Sequence, residues 1–339
     1  MQHILISDPT LRDGNHAVRH QLSAYQIALY AQAAEKAGVP IVEVGHGNGL
    51  GASSLQLGQS PISDKEMLET ARKHLRNSKL GIHVIPGFAT IKKDLAAAID
   101  IGVDVIRVAS HCTEADITER HIAYVRGRGK TAYGVLMMSH MATDDTLLQE
   151  CRKMESYGAQ AVILMDSAGA SIPHEVTSRI SLLVSGLSIP VGFHGHNNLG
   201  LAIANSIAAI EAGAQIIDAT IRGFGAGAGN TQLEVLVAVL GKLGIETDID
   251  LGSILDAADM AEKELMEKVP TINSVSVVSG ITGVFSGFAK PVERAAAQYG
   301  VHPRDIFFEL GRRKIVAGQE DIIIEVAMQL AAKKSADSA

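Results

Sequence analysis

Short apolar runs rich in Val and Ile recur along the chain, each followed by a longer stretch with helical spacing. The runs fall at residues 4–6, 41–44, 80–85, 103–108, 132–137, 161–165, 191–194 and 216–220. Helical patterns lie between them, for instance over 23–37, 144–157 and 202–212. Such alternation requires a parallel sheet with crossover helices. A count of about eight strands fits a closed barrel better than an open sheet. The runs are nearly continuous in apolar residues, as strands buried on both faces must be. Several helical stretches also end in Gly just before a strand, at Gly38, Gly102, Gly158 and Gly213. Glycine takes the left-handed conformation that closes a helix without steric cost.

Beyond residue 245 the pattern becomes a series of helices, expected over 251–268, 283–299 (interrupted at Pro291), 303–313 and 319–332, with a frayed tail at 333–339. The simplest partition is an α/β chain: a (β/α)₈ TIM barrel over residues 1–245 and a helical C-terminal region over 246–335.

Composition excludes some functions. Of the 339 residues, 47% are hydrophobic and 20% charged, so a large core can form and disorder is not expected. Aromatics are only 4%, Trp is absent and the formal net charge is −7, which disfavours nucleic acid and anionic membrane as partners. Two cysteines, Cys112 and Cys151, are too few for a disulfide framework or an all-thiolate zinc site. The N-terminus lacks a basic, apolar export pattern, and no run approaches the roughly 20 apolar residues of a membrane span. The expected location is the cytoplasm.

Barrel chemistry sits at the C-terminal ends of the strands. Here those ends carry Asp8 to His16, Glu43 with His46, Ser110-His111, Ser139-His140, Asp166-Ser167 and His194-Gly195-His196. Residues two apart on a strand face the same way, so His194 and His196 can reach one ion. Asp13 is the best third ligand. Two imidazoles and a carboxylate leave coordination positions open and suit Mn²⁺, Fe²⁺, Zn²⁺ or Mg²⁺. Arg12, beside Asp13, is either a surface charge or a group that stabilises an oxyanion or clamps a carboxylate. His16 is either a general base or an exposed loop histidine. Ser167 either hydrogen-bonds a substrate carboxylate or closes a turn. The glycine-rich stretch 223–230 either cradles phosphate or packs closely at the metal rim. His3, His20 and His83 read as structural or surface residues. No expected strand end carries Lys, which argues against a Schiff base and for a Lewis acid.

The motifs Thr10-Leu11-Arg12-Asp13-Gly14 and His194-Gly195-His196-Asn197 resemble the metal-dependent lyase superfamily of hydroxymethylglutaryl-CoA lyase and isopropylmalate synthase. Further stretches resemble the 4-hydroxy-2-oxovalerate aldolase family of aromatic-hydrocarbon catabolism. They are His16-Ala17-Val18-Arg19-His20-Gln21, Ser110-His111-Cys112-Thr113-Glu114-Ala115-Asp116, Leu136-Met137-Met138-Ser139-His140-Met141, Asp166-Ser167-Ala168-Gly169-Ala170, Gly225-Ala226-Gly227-Ala228-Gly229-Asn230 and Gly318-Gln319-Glu320-Asp321.

The resemblance implies metal-dependent retro-aldol cleavage of 4-hydroxy-2-oxo acids to pyruvate and a short aldehyde. It implies Asp13, His194 and His196 as ligands, usually of Mn²⁺, with Mg²⁺, Co²⁺ or Zn²⁺ as alternatives and no nucleotide cofactor. Arg12 would stabilise the enolate, His16 would take the C4-hydroxyl proton and Ser167 would bind the carboxylate. Glu43 would orient Arg12 or a water. An acylating aldehyde dehydrogenase is the implied hetero-oligomeric partner, docked on the C-terminal region.

The chain departs from that family at Phe285, where Tyr is usual, and weaker stereochemical control at C4 is expected. Asn48 replaces an Asp and Ser54-Leu55-Gln56-Leu57-Gly58 a more aromatic stretch, which bears on aldehyde length. The alternatives are an acyl-CoA condensing or cleaving enzyme of the same superfamily, or a silent barrel acting as a scaffold.

Overall fold

Strands that are apolar on both faces need a layer outside and a filled interior. A computed structural model, which describes residues 3–316 and 318–337, meets both needs. Eight parallel strands close in sequence order: β1 (Leu5–Leu11), β2 (Ile41–Val44), β3 (Lys79–Val84), β4 (Val105–His111), β5 (Thr131–Met137), β6 (Ala161–Asp166), β7 (Val191–Gly195) and β8 (Ile216–Asp218), with β8 paired to β1. Helices cover the outside. The fold is the expected (β/α)₈ barrel with C-terminal helices. Among the described residues, no helix is long and apolar enough to cross a membrane.

Register decides which side chains share the lumen. Ser7 lies beside Asp218, Asp218 beside His194, and His194 beside Met165. His83 lies beside Arg107, and Arg107 beside Tyr133. Paired residues in a parallel sheet point to the same face. The lumen therefore mixes an apolar cluster that includes Val105, Ala109, Val135, Ile163 and Met165 with a set of buried charges.

The glycines before strands behave as their spacing implies. Gly38, Gly102, Gly158 and Gly213 all have positive φ. At Gly38 an added Cβ would also lie 2.6 Å from the Asp248 carbonyl oxygen.

Three expectations are corrected. β1 runs on through Pro9 to Leu11 rather than stopping at residue 6. Its register shifts between Asp8 and Leu11, and the Asp8 carboxylate accepts the Thr10 N–H at 2.9 Å inside that irregularity. The helix expected over 283–299 is two elements. Gly283, at φ 68, ends a helix over Ser274–Thr282 that its β-branched, serine-rich composition concealed. The next helix starts at Ala289, which puts Pro291 in its first turn, where a missing N–H costs nothing. The last helix, Glu320–Asp337, continues through much of the tail expected to fray. Lys334 Nζ donates to the Gly300 carbonyl at 3.0 Å and holds that end down. Residues 338–339 lie outside the described residues.

The helix Leu251–Glu264 contributes Ile254, Ala257, Ala258 and Ala261 to the barrel's outer core. A second core, built on Val284, Phe288, Val292, Phe307, Leu310 and Val326, lies under the later helices. The segment between them crosses the C-terminal rim of the barrel and is pinned there. Ser286 N–H donates to the Ser167 carbonyl at 3.1 Å, and Ser286 Oγ to Asn198 Oδ1 at 3.0 Å. His140 Nε2 lies 2.8 Å from the Gly283 carbonyl.

Gly38→Ala tests the helix-closing role. It should cost about 1–2 kcal/mol, because a non-glycine residue must hold a left-handed conformation against a carbonyl. An earlier urea midpoint at unchanged slope is the expected reading.

Candidate active site and metal centre

Asp13 follows β1 at the start of a single helical turn, Gly14–Ala17, and its side chain is buried. β7 brings His194 and the following His196 to the same point. His194 Nε2 lies 3.4 Å and His196 Nε2 3.6 Å from Asp13 Oδ2, and the two Nε2 atoms are 3.3 Å apart. One ligand atom from each of the three buried residues lies within 4.8 Å of the other two.

The arrangement suits a cation. His194 Nδ1 is 2.8 Å from the Asp218 carboxylate, which holds the proton on Nδ1 and aims the Nε2 lone pair inward. His196 Nδ1 is buried without a partner among the described residues. Two nitrogen lone pairs and a carboxylate oxygen that face each other repel unless a proton or a metal ion sits among them. Burial opposes charge on His194, but its bonds to Asp13 and Asp218 outweigh that and raise its pKa. Burial lowers that of His196 to about 4 despite Asp13, leaving a neutral imidazole that can ligate. Burial works against the Asp13 carboxylate too, yet Arg12, His196 and His194 together hold its pKa well below the usual range.

Arg12 is buried, not a surface charge. Its Nη1 is 3.6 Å from Asp13 Oδ1 and its Nε donates to Glu43 Oε1 at 2.5 Å. Its Nη2 is buried with no partner among the described residues, a free donor beside the candidate metal position. Glu43 in turn meets Arg107 at 3.2 Å, and Arg107 Nη2 pairs with Asp218. The lumen thus contains an unbroken chain Arg12–Glu43–Arg107–Asp218–His194. Burial pushes the Glu43 pKa up, but Arg107 and Arg12 overcome it and bring it down to about 2.

His16 lines a cleft of about 230 Å³ between the barrel rim and the C-terminal helices, together with Gly227, Pro270, Ser276, Ser286 and Lys290; Asp13, His194 and His196 are not among its lining residues. Its ring meets the Phe285 ring edge-on at a centroid distance of 6.4 Å and the His20 ring at 5.0 Å. Burial lowers the His16 pKa, Asp13 opposing, which favours the neutral imidazole. His20 and His46 stack at 3.7 Å and brace the loop after β2 against His16. Phe285 also rests edge-on against Phe288 at 5.6 Å. Ser167 does not close a turn with its hydroxyl: Oγ accepts the Met138 N–H at 2.9 Å.

Other rim residues have structural partners. Asp166 accepts the N–H groups of Ala170 and Ser171 at 2.9 and 3.1 Å. His111 Nδ1 is 2.8 Å from Thr113 Oγ1. The glycine-rich stretch packs closely on the Asp13 loop: Asn230 Nδ2 donates to Asp13 Oδ2 at 2.6 Å, and a Cβ on Gly225 would lie 2.5 Å from Asn230.

Sequence reasoning missed Arg107, Asp218 and Asn230, and read His83 as ordinary. Among these, Arg107 and Asp218 carried a signal: each is a charge flanked by apolar residues inside a strand run, which requires a buried partner.

Two family models match. One, described as HMGL-like, covers residues 3–261, and the other, a DmpG-like communication domain, covers residues 270–332. A 4-hydroxy-2-oxovalerate aldolase of Pectobacterium atrosepticum is 65% identical over 328 residues, 97% of this chain and 96% of that protein. One of the same name from Streptomyces tendae is 57% identical, over 99% of this chain and 94% of that protein. Among solved structures, the N-terminal domain of a putative aldolase from Bacteroides vulgatus aligns with a TM-score of 0.70 at 26% identity, over 83% of this chain and 93% of that one. The carboxyl transferase domain of Rhizobium etli pyruvate carboxylase aligns at 0.82 over 98% of this chain and 61% of that one. At 16% identity, that likeness concerns the fold alone.

Asp218→Asn keeps the volume beside His194 but removes the charge that balances Arg107. Affinity for a divalent cation, probed with Mn²⁺, should fall by about 10–100-fold, the usual loss when the partner of a ligating histidine is changed. Free Mn²⁺ followed by electron paramagnetic resonance measures it, with circular dichroism to check folding.

Proposed function

The chain belongs to the HMGL-like family and, within it, to the 4-hydroxy-2-oxovalerate aldolases, and from that premise we propose how its residues do the work. The enzyme cleaves 4-hydroxy-2-oxo acids to pyruvate and a short aldehyde. The observation that carries the residue assignment is the convergence of Asp13, His194 and His196, with Arg12 alongside.

In this reading Asp13, His194 and His196 hold the divalent cation, Mn²⁺ by family resemblance. Bound there, the ion supplies Lewis acidity toward the oxygens of the 2-oxo acid. Arg12, fixed by Glu43, points its free Nη2 at the keto oxygen and stabilises the negative charge that develops on it. His16, on the cleft wall and with its neutral form favoured by burial, takes the C4-hydroxyl proton. The C4–O bond becomes a carbonyl as the C3–C4 bond breaks, and that electron pair forms the enolate of pyruvate. Return of the proton from His16, directly or through water, to C3 completes pyruvate and restores the free base. Ser167 donates its hydroxyl hydrogen to the substrate carboxylate. Phe285 offers only a ring edge beside His16, with no hydroxyl to fix the configuration at C4.

The helical C-terminal region, 246–335 in this reading, is the docking element for an acylating aldehyde dehydrogenase. Support comes from the match to a DmpG-like communication domain over 270–332.

A coupled assay tests the reading. With Mn²⁺ and 4-hydroxy-2-oxovalerate, pyruvate release followed through lactate dehydrogenase should require the metal and vanish with a chelator. Acyl-CoA substrates should give no turnover. Absence of metal-dependent pyruvate would defeat the assignment. Run on separated 4R and 4S substrates, the wild type should discriminate weakly and Phe285→Tyr more strongly. Equal, strong selectivity in both proteins would remove Phe285 from stereochemical control.

A further inference from the structure

His83 lies on β3 and is 3% exposed, and its side chain shares the lumen row of Arg107. Its Nδ1 is buried with no partner, and no described residue hydrogen-bonds its Nε2. The buried Nδ1 is costly to leave unpaired, whereas Nε2 is not among the fully buried atoms and is free to meet a ligand. The ring is near enough to Arg12, Glu43, Arg107 and His194 to feel their charges. Burial, reinforced by Arg12, lowers its pKa to about 3, so it is neutral at working pH. The Gly49 backbone closes over the ring, where an added Cβ would lie 3.3 Å from its Cδ2. None of the interactions that build the cation site or hold Arg12 uses His83.

We propose that His83 is a substrate-binding residue whose Nε2–H donates to the C4 oxygen of the bound 4-hydroxy-2-oxo acid. The inference rests on the aldolase reading above. The carboxylate and keto oxygens of such a substrate are matched by charged groups, Arg12 and the cation site. The remaining oxygen is the neutral C4 hydroxyl, and a neutral imidazole suits it. The hydroxyl gives its proton to His16 while its lone pair accepts from His83. As C4 becomes a carbonyl, the same N–H stays in place on the oxygen. Phe285, edge-on to His16, has no hydroxyl to offer, which leaves this contact to His83.

His83→Leu keeps bulk and removes both nitrogens, whereas His83→Asn restores a donor. Two constants are read in the Mn²⁺-loaded enzyme: KM for 4-hydroxy-2-oxovalerate, and the inhibition constant of 2-oxovalerate, the same acid without the hydroxyl. His83→Leu should raise KM by about five- to tenfold, the worth of one neutral hydrogen bond. The inhibition constant should change by less than about twofold, because that ligand has no C4 oxygen to lose a bond. His83→Asn should recover most of the KM. If both constants rise together in His83→Leu, the residue acts on the shared 2-oxo acid head or on the fold, and the proposal fails. It fails equally if neither changes, which would leave an ordered water as the ring's partner. Wild-type enzyme that releases no pyruvate would overturn the aldolase reading and this one with it. Pyruvate release with an unaltered KM in His83→Leu would overturn this one alone.

Discussion

The buried chain Arg12–Glu43–Arg107–Asp218–His194 is the constraint on which the site depends. Each charge in it has been taken out of water, a loss that close opposite charges must offset. Removing one member leaves its neighbour a bare charge in an apolar lumen. The chain spans β2, β4, β7, β8 and the loop after β1, so each strand's register must be right for the charges to meet. It also ties two separate needs of the chemistry together. One end positions a guanidinium with a free donor, and the other sets which nitrogen of His194 faces the cation site.

The C-terminal helices complete the site rather than merely follow it. They have their own apolar core, yet the segment that leads into them lies across the barrel rim. Ser286 is bonded to Ser167 and Asn198, while Gly283 is held by His140. Phe285 lies between these anchors, so its ring is set against His16 by contacts with three strands' ends. A shift of the C-terminal region would therefore change the surroundings of His16 directly.

Much of the fold was legible because its causes are local. Val- and Ile-rich runs, helical spacing and glycine stops report on backbone sterics and burial, which each segment expresses by itself. His194-Gly195-His196 was legible for the same reason, since a two-residue spacing on a strand defines a shared face. The Ser274–Thr282 helix was not, because its β-branched and serine-rich residues have poor intrinsic helicity and are held by an Asn273 cap and the barrel rim. Asp166, His111 and His140 looked like chemistry at the rim and turned out to be bonded to nearby loops. Residue type and position on a strand are the same in both cases; only the neighbours differ.

The sequence by itself determined a closed parallel barrel, a helical extension and a His-x-His pair on one strand face. Those follow from periodicity and steric preference along a single stretch of chain. Only the tertiary structure decided that Arg107 joins Glu43 to Asp218, that Asn230 steadies Asp13, and that His83 has no hydrogen-bond partner among the described residues. These relations join residues as far as 217 positions apart. They exist only once closure of the barrel brings those strands and loops around one lumen, where low polarity makes every charge seek a partner.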